Sequence, residues 1–292
     1  MLSLNDILVG GLFPALVACA VLALARLIPG RGNWAGPIAV ALAFAVAFPA
    51  VAGRVPRSFA NGTAEERLLF LAIPVAILAA VAALPRVPRW LGSLTAVATI
   101  AMVLWLVLAR AAESWTPGGY YGMLAHTTAA MALAWFCLNA VARSPSRVTA
   151  FIAMAGINLG ASLLLMLSGV QSYGQYAGGV LAAILAVLLL LVLGLCPHTL
   201  AGLPLVFVVI VGTLLTAGTD PLFGYAKVYN AALIATAPLI LWLSQWLRWR
   251  SARAWQVSLL RLALTAVPVL IALAVAGKQF RDAMASDGAG YY

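Results

Sequence analysis

Acidic side chains are nearly missing from this sequence, with seven Asp and Glu in 292 residues against seventeen Lys and Arg. Between Arg147 and Asp220 there is no Asp, Glu, Lys or Arg, and His198 alone could take up a proton. A water-soluble fold does not hide so long an uncharged tract. The scarcity of acids also removes whole classes of chemistry. No apolar run holds the paired carboxylates of a cation-coupled pump. No exposed acidic loop offers the metal ligands that a glycosyl-transfer enzyme would want. There is no GxSxG elbow, HExxH pair or Walker A loop, and Glu65-Glu66 has no histidine motif beside it to suggest a metalloprotease. Cys19, Cys137 and Cys196 lie in or at the ends of apolar runs without CxxC spacing, so they read as small core residues. The first eight residues hold Asp6 and no basic stretch, so a cleaved signal peptide is not expected.

What the chain has in abundance is apolar length. Hydrophobic residues make up 65% and charged residues 8%, with a mean hydropathy of +1.07, which makes the whole of it membrane material. The uncharged tract divides into runs 148–170, 176–196 and 199–218, each near the ~20 residues that cross ~30 Å of hydrocarbon as a helix. Seven more runs complete the series, at 7–28, 35–53, 68–85, 90–109, 120–142, 224–246 and 255–277. In hydrocarbon every backbone N–H must bond internally, and these runs are too long and too uniformly apolar for barrel strands. The expected fold class is therefore all-α: a polytopic membrane helix bundle of about ten transmembrane helices, one membrane domain over residues 1–292.

The connections are short and rich in Pro, Gly and Arg, as in Pro85-Arg86-Val87-Pro88-Arg89 and Arg143-Ser144-Pro145-Ser146-Arg147. Two loops are longer: 54–67, with Glu65 and Glu66, and 110–121, with Glu113, Trp115 and Tyr residues suited to headgroup level. The net charge of +10 comes from arginines placed in these turns. That is a membrane-orientation pattern rather than a nucleic-acid footprint. Loops after odd-numbered spans carry nine Lys or Arg and the other side six, which sets the Arg248-Trp249-Arg250-Ser251-Ala252-Arg253 turn in the cytoplasm and both termini outside. Arg261 lies inside the last span, where it can snorkel back to the cytoplasmic face.

Self-comparison suggests a duplication. Gly10-Gly11 with Pro29 matches Gly178-Gly179 with Pro197, and Gly53-x-x-Pro56 matches Gly218-x-x-Pro221. Pro74, Arg86 and Arg89 share the spacing of Pro238, Arg250 and Arg253. The offset stays at 164–168 residues, so residues 7–109 pair with 176–277, and 120–170 link them. Six spans separate the copies, an even number, which makes the repeat parallel.

Few polar residues remain as candidates for a site. Asp220 opens a segment containing Tyr225, Lys227 and Asn230, a polar mouth where a small solute could bind or, more blandly, an interfacial loop with a snorkelling lysine. His126 lies inside the fifth span beside Thr127 and Thr128. It reads as a hydrogen-bonded neutral imidazole, since His198 falls on the opposite face and a bis-histidine haem does not fit. Asn158 is the most central amide, followed by Gly160 of a Gly156-x-x-x-Gly160 pattern, and both suit helix packing. Those six residues, Asp220, Tyr225, Lys227, Asn230, His126 and Asn158, are the substrate-binding candidates. No cofactor, metal or catalytic residue is expected.

The leading functional reading is a transporter-like carrier of a small neutral, amphipathic or anionic solute, because substrate paths often run between repeats. The alternative is a non-catalytic membrane subunit that assembles partners, and a membrane enzyme comes third. The span count is similar to that of ten-helix drug/metabolite carriers, but those are built from inverted halves of five spans, so no family is assigned. Expected partners are the lipid bilayer, a small-molecule substrate and other membrane proteins, and not nucleic acid. Arginine outnumbers lysine fifteen to two, which associates the chain with a GC-rich bacterial genome and an inner (plasma) membrane. In intact cells, a cysteine placed at Ser286 should take up an impermeant thiol label and one at Ser251 should not. The reverse pattern would invert the topology.

Overall fold

The computed structural model describes residues 11–27, 34–56, 58–84, 86–109, 116–144, 147–195, 201–218, 228–246 and 254–288. They form ten α-helices and, among the described residues, no strand. In chain order these are α1 (Phe13–Arg26), α2 (Ala35–Ala52), α3 (Ala64–Ala82), α4 (Arg89–Val107), α5 (Pro117–Ala142), α6 (Arg147–Leu167), α7 (Gln171–Val192), α8 (Leu203–Gly218), α9 (Val228–Leu243) and α10 (Ala254–Gly288). Each falls on one of the apolar runs. Seven of them, α2, α4, α5, α6, α7, α9 with its terminal turn, and α10, are long and apolar enough to cross a membrane. These lengths and compositions mark the chain as a membrane protein.

Helix ends depart from the hydropathy boundaries where capping chemistry intervenes. α3 begins at Ala64 rather than 68 because Glu66 Oε2 accepts the Thr63 N–H at 2.9 Å, the reach-back of a Thr-x-x-Glu capping box. α5 begins at Pro117, with Thr116 Oγ1 accepting from Gly119 N–H at 3.4 Å and proline in the first turn, where its missing N–H costs nothing. α2 stops at Gly53, whose φ of +62° closes the helix on the Pro49 carbonyl in the left-handed cap that glycine allows. α10 runs eleven residues past its apolar segment, to Gly288. At ~1.5 Å per residue it is ~52 Å long, more than a bilayer with its headgroups.

The helix at the centre is α8. It packs against α2, α3, α4, α5, α6, α7 and α9, and every residue from Leu203 to Val211 is buried. A helix apolar on all sides belongs inside a bundle. Its 16 residues span only ~24 Å, short for a lipid-facing helix and sufficient for an enclosed one. Around it, α1 pairs with α2 and α7, α2 with α3, α3 with α4, α4 with α5, and α9 with α5 and α10. The sequence places spans 5 and 6 outside two matched quartets; in the fold, α6 packs on α5, α7, α8, α9 and α10. The quartets also pack differently, since α1 lies along α2 whereas α7 lies chiefly along α6.

With lipid as solvent, helices associate through close contact of small residues and a few polar bonds rather than through apolar burial. The α6–α7 hairpin shows this. Asn158 Nδ2 donates to the Ala177 carbonyl at 3.1 Å and Ser162 Oγ to the Gly174 carbonyl at 2.6 Å. A Cβ on Gly174 would stand 2.9 Å from the Ser162 carbonyl oxygen, so α7 needs a glycine there to come this near. On the other side of α6, a Cβ on Gly160 would overlap Val269 Cγ1 of α10, whereas one on Gly156 would meet nothing within 4 Å. Half of the Gly156–Gly160 pattern is therefore a packing site. Gly160→Ala should destabilise the protein by ~1–3 kcal/mol through overpacking, and Gly156→Ala should be neutral or stabilising by up to ~1 kcal/mol through helix propensity. Thermal unfolding of the two variants in detergent checks this, and equal losses would contradict the packing described.

Candidate functional site

Of the polar residues singled out by the sequence, His126, Asn158 and Asn230 are described, and they do not gather in one place. Asp220, Tyr225 and Lys227 lie outside the described residues, as do His198 and the Arg248–Arg253 turn. Asn230, the last member of that segment, is fully buried at the start of α9 and donates to Gln279 Oε1 of α10 at 2.9 Å. Gln279 Nε2 in turn donates to the Tyr229 hydroxyl. This triad fastens the start of α9 to the polar extension of α10. Asn158, also fully buried, serves the α6–α7 hairpin. The two asparagines thus act between helices, and each keeps a side-chain oxygen without a partner, Asn158 Oδ1 and Asn230 Oδ1.

His126 is different, because it borders open space. A cavity of about 280 Å³ lies between α5, α8 and α9, with Leu108 beyond the end of α4 and Ile157 of α6 completing its wall. His126, Thr127, Ala130, Met131 and Ala134 supply the α5 side, Phe207 to Thr216 the α8 side, and Val228 to Pro238 the α9 side. Among the described residues, the lining contains no Asp, Glu, Lys or Arg, and its side chains are apolar apart from His126, Thr127 and Thr216. Ala130, Val228 and Ala232 are themselves exposed, so the cavity opens sideways between α5 and α9. From Val228 to Pro238 it extends ~15 Å along α9, about half the thickness of the hydrocarbon. α8 makes room for it at Gly212, where a Cβ would press on Met131 Cε at 2.8 Å.

The hydrogen bonding of the polar wall has a direction. His126 Nδ1 lies 2.6 Å from the Gly122 carbonyl, and a carbonyl only accepts, so Nδ1 carries the proton. With Nδ1 as the donor, Nε2 of an uncharged ring would present a lone pair. Thr216 donates its hydroxyl hydrogen to the Gly212 carbonyl at 2.8 Å, which leaves lone pairs on Oγ1 as well. Pro238 has no N–H for the Ile234 carbonyl one turn back, and both residues line the cavity.

A second polar assembly was not foreseen. Glu66 is fully buried and paired with Arg54 at 3.1 Å. Glu65 Oε2 accepts from the Tyr173 hydroxyl of α7 at 2.8 Å. Arg67, 8% exposed, donates Nη1 to the Leu106 carbonyl at 3.1 Å and Nη2 to the Ala60 carbonyl at 3.1 Å. Leu106 belongs to the last turn of α4, the negative end of that helix, while the two acids sit on the positive first turn of α3. Tyr173 leads into a ring cluster in which Tyr176 stacks on Phe48 at 5.3 Å and meets Phe44 edge-on at 6.2 Å. The two glutamates and two arginines cancel in formal charge and bind the α2–α3 connection to α4 and α7. The Thr63-Ala64-Glu65-Glu66 spacing was the available signal, since it marks a helix start where both acids are placed by the backbone. Among the described residues, no group of three or more His, Cys, Asp or Glu comes together as a metal site.

No family model matches the chain, and no curated protein or solved structure matches it.

The buried charges define an order of sensitivity. Arg54 is 39% exposed, so Glu66→Ala does not strand it, and the loss should stay near the ~1–3 kcal/mol of an unmade buried hydrogen bond rather than the ~3–5 of a stranded buried charge. Arg67→Ala removes the donor to two carbonyls at once and should cost more than Glu66→Ala. Denaturation of both variants in the same detergent tests the order.

Proposed function

We propose that the protein is a multi-pass carrier-type membrane protein that takes a small amphipathic solute into the groove between α5, α8 and α9. The observation that supports this reading is the cavity itself: apolar walls, one polar edge at His126 and Thr216, and a sideways opening that reaches about half the bilayer depth. Its size, about 280 Å³, is just under the ~300–1,000 Å³ usual for small-molecule sites, which combine apolar lining with a few placed polar groups. An opening toward lipid suits a solute that enters from the membrane. The reading draws nothing from the spacing repeat. It includes a plasma-membrane location with the Arg248–Arg253 turn on the cytoplasmic side.

The subunit reading has its own support in α10. Its apolar window is the least enclosed of the spanning helices, 28% buried, and an apolar groove of about 360 Å³ runs between it and α6. That face offers a partner helix a place to lie.

Protein in lipid nanodiscs should bind an amphipathic probe such as a medium-chain alcohol saturably. Ala235→Phe, which puts a ring into the α9 wall, should abolish that binding, and Gly156→Leu, in the α6–α10 groove, should leave it unchanged. Equal binding by both variants and the parent would remove the groove as the site.

A further inference from the structure

We infer that the groove recognises an uncharged ligand through a hydrogen-bond donor on that ligand, with His126 Nε2 as the selecting acceptor. This rests on the groove being the binding site and goes on to name the chemical class of its occupant. The argument is one of polarity. Among the described residues no cationic side chain lines the cavity, so they offer a carboxylate or phosphate headgroup no counter-charge. No described carboxylate lines it either, so these walls leave an ammonium equally unpaired. An isolated charge in so apolar a place is strongly disfavoured. Neutral headgroups remain.

Among neutral headgroups, donors and acceptors are not equivalent here. The Nδ1 proton of His126 is engaged by Gly122, and the hydroxyl proton of Thr216 by Gly212. Each side chain therefore turns lone pairs, and no proton, toward a newcomer. The Ile234 carbonyl, which Pro238 deprives of its helical donor, adds a third acceptor on the face of α9 that borders the cavity. A ligand that only accepts, such as an ether or ester, would find the Thr127 hydroxyl as its one donor in the described lining and would leave the three acceptors unmet. An alcohol, phenol or amide N–H would satisfy Nε2 directly. The ligand class is then a neutral amphiphile with an apolar body and a hydroxyl or amide N–H at one end.

The experiment uses the full chain in nanodiscs at mildly alkaline pH, with three radiolabelled probes of one chain length: a primary alcohol, its methyl ether and the corresponding carboxylate. The alcohol should bind about three- to tenfold more tightly than the ether, the worth of one neutral hydrogen bond, and the carboxylate most weakly. His126→Phe keeps the ring and loses the acceptor, so alcohol and ether should become equal. His126→Gln restores a carbonyl acceptor and should recover part of the preference. Unchanged unfolding temperatures show that the variants fold, and Ala235→Phe reports whether the groove is occupied at all. If alcohol and ether bind the parent equally, and Ala235→Phe abolishes both, the selection by His126 is overturned while the groove stands. A carboxylate that binds best overturns the neutral class. If Ala235→Phe changes nothing, the groove reading fails and this inference fails with it.

Discussion

The bundle depends on keeping one helix out of contact with both lipid and water. α8 has no charged residue, and almost its whole surface is taken up by seven neighbours. A short apolar helix in a bilayer would thin the membrane or leave its ends in hydrocarbon. Here protein supplies the surroundings. At its start, Gly202 (φ +84°) brings α8 so near α3 that a Cβ would stand 2.5 Å from the Ala79 carbonyl. At its other end, a Cβ on Gly218 would overlap Leu165 of α6. The cavity borders α8 from Phe207 to Thr216, and at Gly212 the glycine leaves space for Met131, which shares that wall.

Polar groups in this protein are few, and several of the described ones, at the α2–α3 connection and at the end of α10, act as fasteners. The Arg54–Glu66–Arg67 cluster with Glu65 and Tyr173 ties three connections, and the Tyr229–Gln279–Asn230 triad ties a fourth. Two of these bonds, both from Arg67, run to backbone carbonyls rather than to other side chains. Such bonds make no demand on a second side chain, which suits a chain with so few polar ones.

Hydropathy made the helices legible, because each apolar run must be satisfied by its own backbone. Helix ends were less legible, since they are set by single capping residues such as Thr63, Thr116 and Gly53 rather than by average polarity. Of the candidate site residues, His126 proved to border the cavity, while Asn158 and Asn230 turned out to join helices. Nothing in the order of residues announced that His126 would face Thr216 and Pro238, which lie 90 and 112 positions away. Glu65 finds Tyr173 across 108 residues, and Arg67 finds Leu106 across 39. Pairings at that range depend on which helices become neighbours, and an apolar pattern repeated ten times does not specify that.

One feature of α9 has a mechanical meaning. The helix is pinned at one end by the Gln279 triad and interrupted further along by Pro238. Between the pin and the proline lies the segment that borders the cavity. A beam clamped at one end and notched in its middle bends at the notch, and the missing bond at Pro238 is such a notch. Bending of α9 at Pro238 would therefore change the width of the slot between α5 and α9. Because the clamp belongs to α10, whose final turns extend beyond the lipid, a load applied to that protruding end would reach the slot through Gln279.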